Sequence, residues 1–379
     1  FVVVILRGAL DGLALLPPHG DPAYAAARGP IAIAPPGAAD GALPLDATFG
    51  LHPALAQLHA AYRAGELLPV HAVATAYRER SHFDGQNVLE NGGDAPSGSA
   101  SGWLNRALLA RGDRGEAGLA IGQNVPLILR GPLAVGSWAP SALPEVEPEL
   151  LARLRDLYSD DATLAARLDE ATELDALLPA AMAPGGGAPG GAARGMREAD
   201  AGARGRGNVE RLRSVANSAG RLLAAPSGPR VAVLDSLGWD THANEGGAEG
   251  QLALRLRGLE AALLALRDGL GAAWPQSAVL VCTEFGRTVE TNGTRGTDHG
   301  TGAAALLYGG AVRGGRVLAD WPGLAPPARH EGRDLRPTLD LRALAKGVLR
   351  DHLGVAGRAL GEVFPGTGRL APVPDLVRA

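Results

Sequence analysis

Short unbroken apolar runs, each giving way at once to polar residues and glycine, constrain this chain more than any other feature. Phe1-Val-Val-Val-Ile-Leu6 contains no polar position, so a strand built from it is buried on both faces and needs helices to cover them. It stops at Arg7-Gly-Ala-Leu-Asp11-Gly12. Leu67 to Thr75, Arg230 to Leu234 and Ser277 to Cys282 repeat the grammar, while Ala304 to Leu307 is a weaker, ambiguous apolar segment. Between them, Ala54 to Ala64, Leu164 to Leu178, Val209 to Ala224 and Leu252 to Gly269 carry apolar residues at helical spacing. This alternation predicts an α/β sandwich around a mostly parallel sheet.

The length of 379 residues allows one large domain or two ordinary ones. Glycine and proline are plentiful, at 54 and 28 residues, but 46% hydrophobic and only 20% charged content is too apolar for a disordered chain. Ala183 to Gly207 has no apolar period and reads as a mobile Gly/Ala/Arg-rich surface loop over about residues 183–208. The polar clusters on its two sides look like parts of one site, which favours an insertion in a single domain over residues 1–379. A net charge of -4 with a single lysine, Lys346, argues against a nucleic-acid partner, which needs a concentrated basic face. The lone Cys282 excludes an internal disulfide and a thiolate metal cluster. No apolar run reaches the roughly 18 to 20 residues of a membrane-spanning helix. The chain opens without Met, directly in a strand-like run, which leads us to expect that an upstream segment has been removed. Oligomeric state is not legible.

Four clusters can carry chemistry: Asp11; Ser81-His82-Phe83-Asp84; Asp240-Thr241-His242; and Glu284 with the later Asp298-His299. Each follows a strand or a glycine loop, and open α/β sheets gather ligands at the carboxyl ends of their strands. Asp11 is either a turn former beside Gly12 or a carboxylate aimed out of the sheet edge. Asp240 and His242 sit at alternate positions of an extended segment and so point the same way, which suits a divalent metal, although a cap or a satisfied histidine is the plain alternative. Glu284 ends a buried strand and needs a partner, either Arg287 or a metal ion. Asp298 and His299 lie in a loop of turn formers from Asn292 to Gly302, where glycine permits close backbone approach. Ser81-x-x-Asp84 is a capping-box-like helix start. The same geometry would let Ser81 face an anion at the helix N-terminus, with charge added by Arg78 and Arg80. Walker and G-x-S-x-G motifs are absent.

In order, Leu6-Arg-Gly-Ala-Leu-Asp-Gly12, Phe49-Gly-Leu-His-Pro-Ala-Leu55, Arg80-Ser-His-Phe-Asp84, Gly102-Trp-Leu-Asn-Arg106, Gly238-Trp-Asp-Thr-His242, Thr283-Glu-Phe-Gly-Arg287 and Gly296-Thr-Asp-His-Gly300 resemble the DUF1501 family. The resemblance covers nearly the whole chain. It implies export by a twin-arginine signal, hence a periplasmic or secreted location, and the three-layer α/β/α fold of the alkaline phosphatase-like superfamily. Carried over by position, it makes Asp11 a metal bridge, Ser81 the nucleophile with Arg80 beside it, Asp240 and His242 ligands of one metal, Glu284 a ligand of a second, and His299 the closing ligand. The superfamily commonly has Asp-His where this chain has Glu284-Phe285. One metal is therefore expected to be weakened or missing, with His82 or Asp298 as the candidate substitute.

The expected activity is metal-dependent hydrolysis of a small anionic phosphate ester, through Ser81 or a metal-activated water, with Arg78, His82 and Arg287 contacting substrate. Zinc suits the mixed imidazole and carboxylate set, with manganese or calcium as alternatives and one or two ions bound. A non-catalytic exported binding or envelope-assembly protein with a degenerate metal site is the competing class. A sulfatase is weaker, because Ser81-His-Phe-Asp-Gly does not fit the C/S-x-P-x-R setting. A calcium-dependent carbohydrate binder would need oxygen ligands without histidine.

Overall fold

The structure is a computed structural model that describes residues 1–114, 117–140, 148–169, 172 and 201–378. Its main sheet contains β1 (Val2–Arg7), β4 (Leu67–Ala74), β5 (Gly118–Ile121), β6 (Gly136–Trp138), β7 (Val231–Leu237), β8 (Val279–Cys282), β9 (Ala303–Tyr308) and β10 (Leu339–Asp340). Two further short strands, β2 (Leu43–Pro44) and β3 (Gly50–Leu51), pair antiparallel on their own. In the main sheet the order is β10-β4-β9-β8-β1-β7-β5-β6. Every pairing is parallel except those of β9, which runs against both β4 and β8. The four apolar runs of the sequence become β1, β4, β7 and β8, and the ambiguous Ala304 to Leu307 segment lies within strand β9.

The side chains of β1 alternate between two cores, as period-2 geometry requires. Val2, Val4 and Leu6 join Leu58, Leu222, Leu256 and Leu263, which come from helices Ala56–Arg63, Ala201–Ala224 and Gln251–Leu270. Phe1, Val3 and Ile5 join Leu89, Leu108, Leu344 and Val348, which come from helices His82–Asn91, Trp103–Arg111 and Leu341–Asp351. Each such residue contributes about 1.5–3 kcal/mol on burial. Strands with both faces covered are therefore the stable state of these runs.

Of the helix expected over Leu164 to Leu178, residues 164–169 are helical and most of the rest lies outside the described residues. The loop expected over about 183–208 falls partly outside them as well. Where it is described, the expectation is corrected: helix Ala201–Ala224 starts inside that stretch. Alanine and arginine are strong helix formers and carry the first turns in spite of the glycines. Among the described residues, no helix is long and apolar enough to cross a membrane.

Candidate metal centre at the carboxyl edge of the sheet

All strands of the main sheet but β9 run one way, so their carboxyl ends share an edge with the amino end of β9. The loops after β4, β7 and β8 and the loop before β9 meet there. After β7, Trp239 and Thr241 are buried, while Asp240 and His242 are partly exposed. The buried indole anchors the segment and the alternation turns the two candidate ligands the same way, as the sequence predicts. The Asn292 to Gly302 loop lies tight against its neighbours. A Cβ on Gly296 would stand 2.4 Å from the His242 carbonyl carbon, and one on Gly300 would stand 2.3 Å from the Arg287 carbonyl carbon. Only glycine permits that approach.

Three imidazoles converge on Asp240. His82 Nε2 lies 3.3 Å from Asp240 Oδ2, His299 Nε2 lies 3.3 Å from Oδ1, and His242 Nε2 lies 3.0 Å from Oδ1. One ligand atom from each of His82, Asp240 and His299 falls within 4.8 Å of the others, a spacing that can hold a metal ion. His242 Nε2 is 3.0 Å from His299 Nε2.

The outer nitrogen of every ring faces an acceptor. His82 Nδ1 is 2.8 Å from Glu284 Oε1, His242 Nδ1 is 3.1 Å from Asp298 Oδ1, and His299 Nδ1 is 2.9 Å from the Arg80 carbonyl oxygen. Carboxylates and carbonyls only accept, so in the neutral rings each Nδ1 carries the proton and each Nε2 presents a lone pair inward. His82 Nε2 is buried and, among the described residues, has no hydrogen-bond partner despite its closeness to Asp240. Lone pairs aimed at one another and at a carboxylate repel unless a cation lies between them, and an acceptor behind each ring is the usual support of a metal-bound histidine.

The three carboxyl groups lean toward their charged forms. Burial opposes charge on Asp240, but the Arg287 hydrogen bond and charge, joined by His242 and His82, together outweigh it and hold the carboxyl below its usual range. Burial likewise opposes charge on Glu284, and the hydrogen bonds from His82, Gln86 and Gly8, with its own backbone N–H, together outweigh it. Asp298 is lowered chiefly by the Asn292 amide. The Glu284 hydrogen bond raises His82, while burial lowers His299.

Several expected site residues serve this centre from behind or from elsewhere. Glu284 is fully buried and accepts from Gly8 N, His82 Nδ1, Gln86 Nε2 and Thr283 Oγ1. It stands behind His82 and is not paired with Arg287. The Arg287 guanidinium instead donates to Asp240 Oδ1 at 2.6 Å and to the hydroxyl and carbonyl of Thr297. Asp11 is buried, caps the short helix Gly12–Leu15 and pairs with Arg28, which also faces Glu245 at 3.7 Å. Arg78 turns back onto the carbonyls of Thr75 and Tyr77. Arg80 binds Asp334 and Glu331 and holds a left-handed φ of 61°. Ser81 is the N-cap residue of helix His82–Asn91, yet its hydroxyl makes no capping bond, so the capping box does not form. Phe285 stacks on His82 at 5.1 Å and walls the centre.

The sequence reading missed Arg28, Glu245, Thr297 and Asp334, all buried. Glu245, set between Asn244 and two glycines, was visible as a charge in an ordered loop. Thr297 lies within the Gly296 to Gly300 motif, and nothing local marked Arg28 or Asp334.

The DUF1501 family model, described as a protein of unknown function, matches residues 1–364. The chain belongs to the DUF1501 family. Neither the curated proteins nor the solved structures give a match. What this DUF1501 protein does must therefore be argued from its own residues. Beside the centre lies a cleft of about 250 Å³, lined by Thr288, Asn292, Asp298, Arg329 and Arg333 among others. Asp298 belongs to both, holding His242 while forming part of the cleft wall.

Proposed function

We propose that this DUF1501 protein is a metal-dependent hydrolase of small phosphate esters, with His82, Asp240 and His299 holding a divalent ion. The observation that carries the reading is the inward-facing Nε2 set around Asp240, with an acceptor fixing each ring from behind and His82 Nε2 buried without a partner. Two imidazoles and one carboxylate fit zinc best and speak against calcium, which takes oxygen ligands. When bound, the ion supplies positive charge that favours ionisation of a nearby hydroxyl and stabilises charge on the transferred group.

The chain's own residues do the rest. Asp298 holds His242 in the tautomer whose Nε2 accepts a proton, the arrangement of a general base. Ser81 precedes His82 at the start of a ten-residue helix whose free N–H groups favour an anion. Its uncapped hydroxyl is the candidate nucleophile, with a water as the alternative. The polar cleft beside Asp298 suits the organic part of the ester, and its wall includes Arg333, which pairs with Asp334 and donates to the His299 carbonyl. The two cores flanking β1 support the further proposal of a three-layer α/β/α sandwich of the alkaline phosphatase-like kind.

One observation favours a non-catalytic binding role: Arg78, Arg80 and Arg287 are all bonded within the protein. Zinc-loaded protein assayed against aryl phosphates and aryl sulfates separates the readings. Phosphatase activity that drops at least about 100-fold in His242→Ala supports the hydrolase with its general base. Metal-loaded protein inert toward every ester would leave only the binding role.

A further inference from the structure

We propose that Arg287 acts as a built-in cation beside Asp240, so that the centre takes one divalent ion and not two. The inference rests on the metal reading above and concerns how many ions the residues accept. Asp240 is the carboxylate through which two ions would be bridged, since its Oδ2 faces His82 and its Oδ1 faces His242 and His299. The Oδ1 side is already taken. Arg287 Nη1 donates to it at 2.6 Å, closer than either imidazole.

This guanidinium is not a mobile surface group that an ion could push aside. Arg287 is 1% exposed, and its Nε and Nη2 are bonded to the hydroxyl and carbonyl of Thr297, whose hydroxyl in turn donates to buried Glu245. The backbone is fixed as well, through a bridge between Arg287 and His299. Arginine stays charged in proteins, and a fixed positive charge in hydrogen-bond contact with Oδ1 opposes a second divalent ion on the same oxygen.

Charge counting agrees. The carboxylates within hydrogen-bond reach of the three rings are Asp240, Glu284 and Asp298, giving three negative charges. Arg287 supplies one positive charge, and a single divalent ion then brings the centre to zero with neutral imidazoles. A second ion would leave two uncompensated positive charges. Glu284, the residue that the family resemblance assigns to a second ion, is saturated by Gly8, Gln86, Thr283 and His82.

The test is a metal count that does not depend on turnover. Full-length protein stripped with chelator and re-equilibrated with zinc is measured by elemental analysis, and titrated calorimetrically with zinc. The wild type is expected to bind one ion per chain, Arg287→Gln two, and Arg287→Lys, which keeps the charge, one. A wild-type count of two overturns the proposal while leaving the metal reading intact. A count of zero overturns the metal reading beneath it. A folded Arg287→Gln that still binds one ion, or a folded Arg287→Lys that binds two, also overturns the proposal. If Arg287→Gln does not fold, the wild-type titration decides: saturation at one equivalent supports the proposal and a second saturable step contradicts it.

Discussion

At the scale of single residues, the three rings are held by groups that lie behind them. Glu284 fixes His82, Asp298 fixes His242, and the Arg80 carbonyl fixes His299. Replacing Glu284 by Leu removes the acceptor of the His82 proton and with it the reason for its tautomer. Zinc affinity is expected to fall about 10–100-fold, the usual cost of losing such a support. Competition with a chromophoric chelator measures it, with circular dichroism to confirm the fold, and unchanged affinity would show that Glu284 does not orient His82. Sequence reasoning set Asp240 and His299 among the ligands because their residue types and loop settings suit the role; it gave His82 a substrate contact, with a metal role only as a substitute, and put His242 in its place. It set Glu284 among the ligands because a buried acid at a strand end looks the same whether it meets a metal, an arginine or a histidine. Only the three-dimensional neighbours, Gly8 and His82, distinguish these cases.

At the scale of elements, β1, β4, β7 and β8 were legible because strands covered on both faces leave an unbroken apolar record. β5 and β6 are short, at four and three residues, and left too little signal to separate from loop. The helix Leu341–Asp351 is capped by Asp340, whose carboxylate accepts from Arg342 N, yet this cap passed unread. Elements at the edge of the site are locked together by the buried Asp11–Arg28–Glu245 group, which joins the turn after β1, helix Tyr24–Arg28 and the loop after β7. Arg28 brings one positive charge to two carboxyl groups. Burial opposes charge on Asp11, but Arg28, the Glu245 hydrogen bond and the Arg287 charge together hold the carboxyl low, whereas burial and the neighbouring Asp11 push Glu245 up. Arg28→Met is expected to destabilise the protein by about 3–5 kcal/mol, because it leaves buried carboxyls without their partner. A shift of the urea midpoint at unchanged slope reports this, and a loss below about 1 kcal/mol would mean that Asp11 is held by its helix cap alone.

At the scale of the whole molecule, one sheet assembled from strands between residues 2 and 340 brings its loops to a common edge. The reversal of β9 is what lets His299, which precedes its strand, meet Asp240 and His82, which follow theirs. That reversal was not legible, since strand direction leaves no mark in an Ala-Leu run. Stability should also respond to pH through two buried histidines away from the centre. Burial pushes His71 and His52 down to about 4. Between that value and the ordinary value of about 6.5, the unfolded chain binds protons that the folded chain refuses, so stability rises with pH across this window. The contribution of these two rings to the unfolding free energy is expected to be level above about pH 6.5 and to fall as pH drops toward 4, by up to about 1.4 kcal/mol per pH unit for each histidine, and the urea midpoint falls with it. A level midpoint down to pH 4 would mean that neither ring is held neutral. The central claim, that His82, Asp240 and His299 form a metal centre, is tested most directly by anomalous diffraction at the zinc edge from crystals of the zinc-loaded protein. The account predicts one peak about 2.0–2.2 Å from His82 Nε2, His299 Nε2 and an Asp240 oxygen; the absence of a peak there, or a peak on other residues, would contradict it.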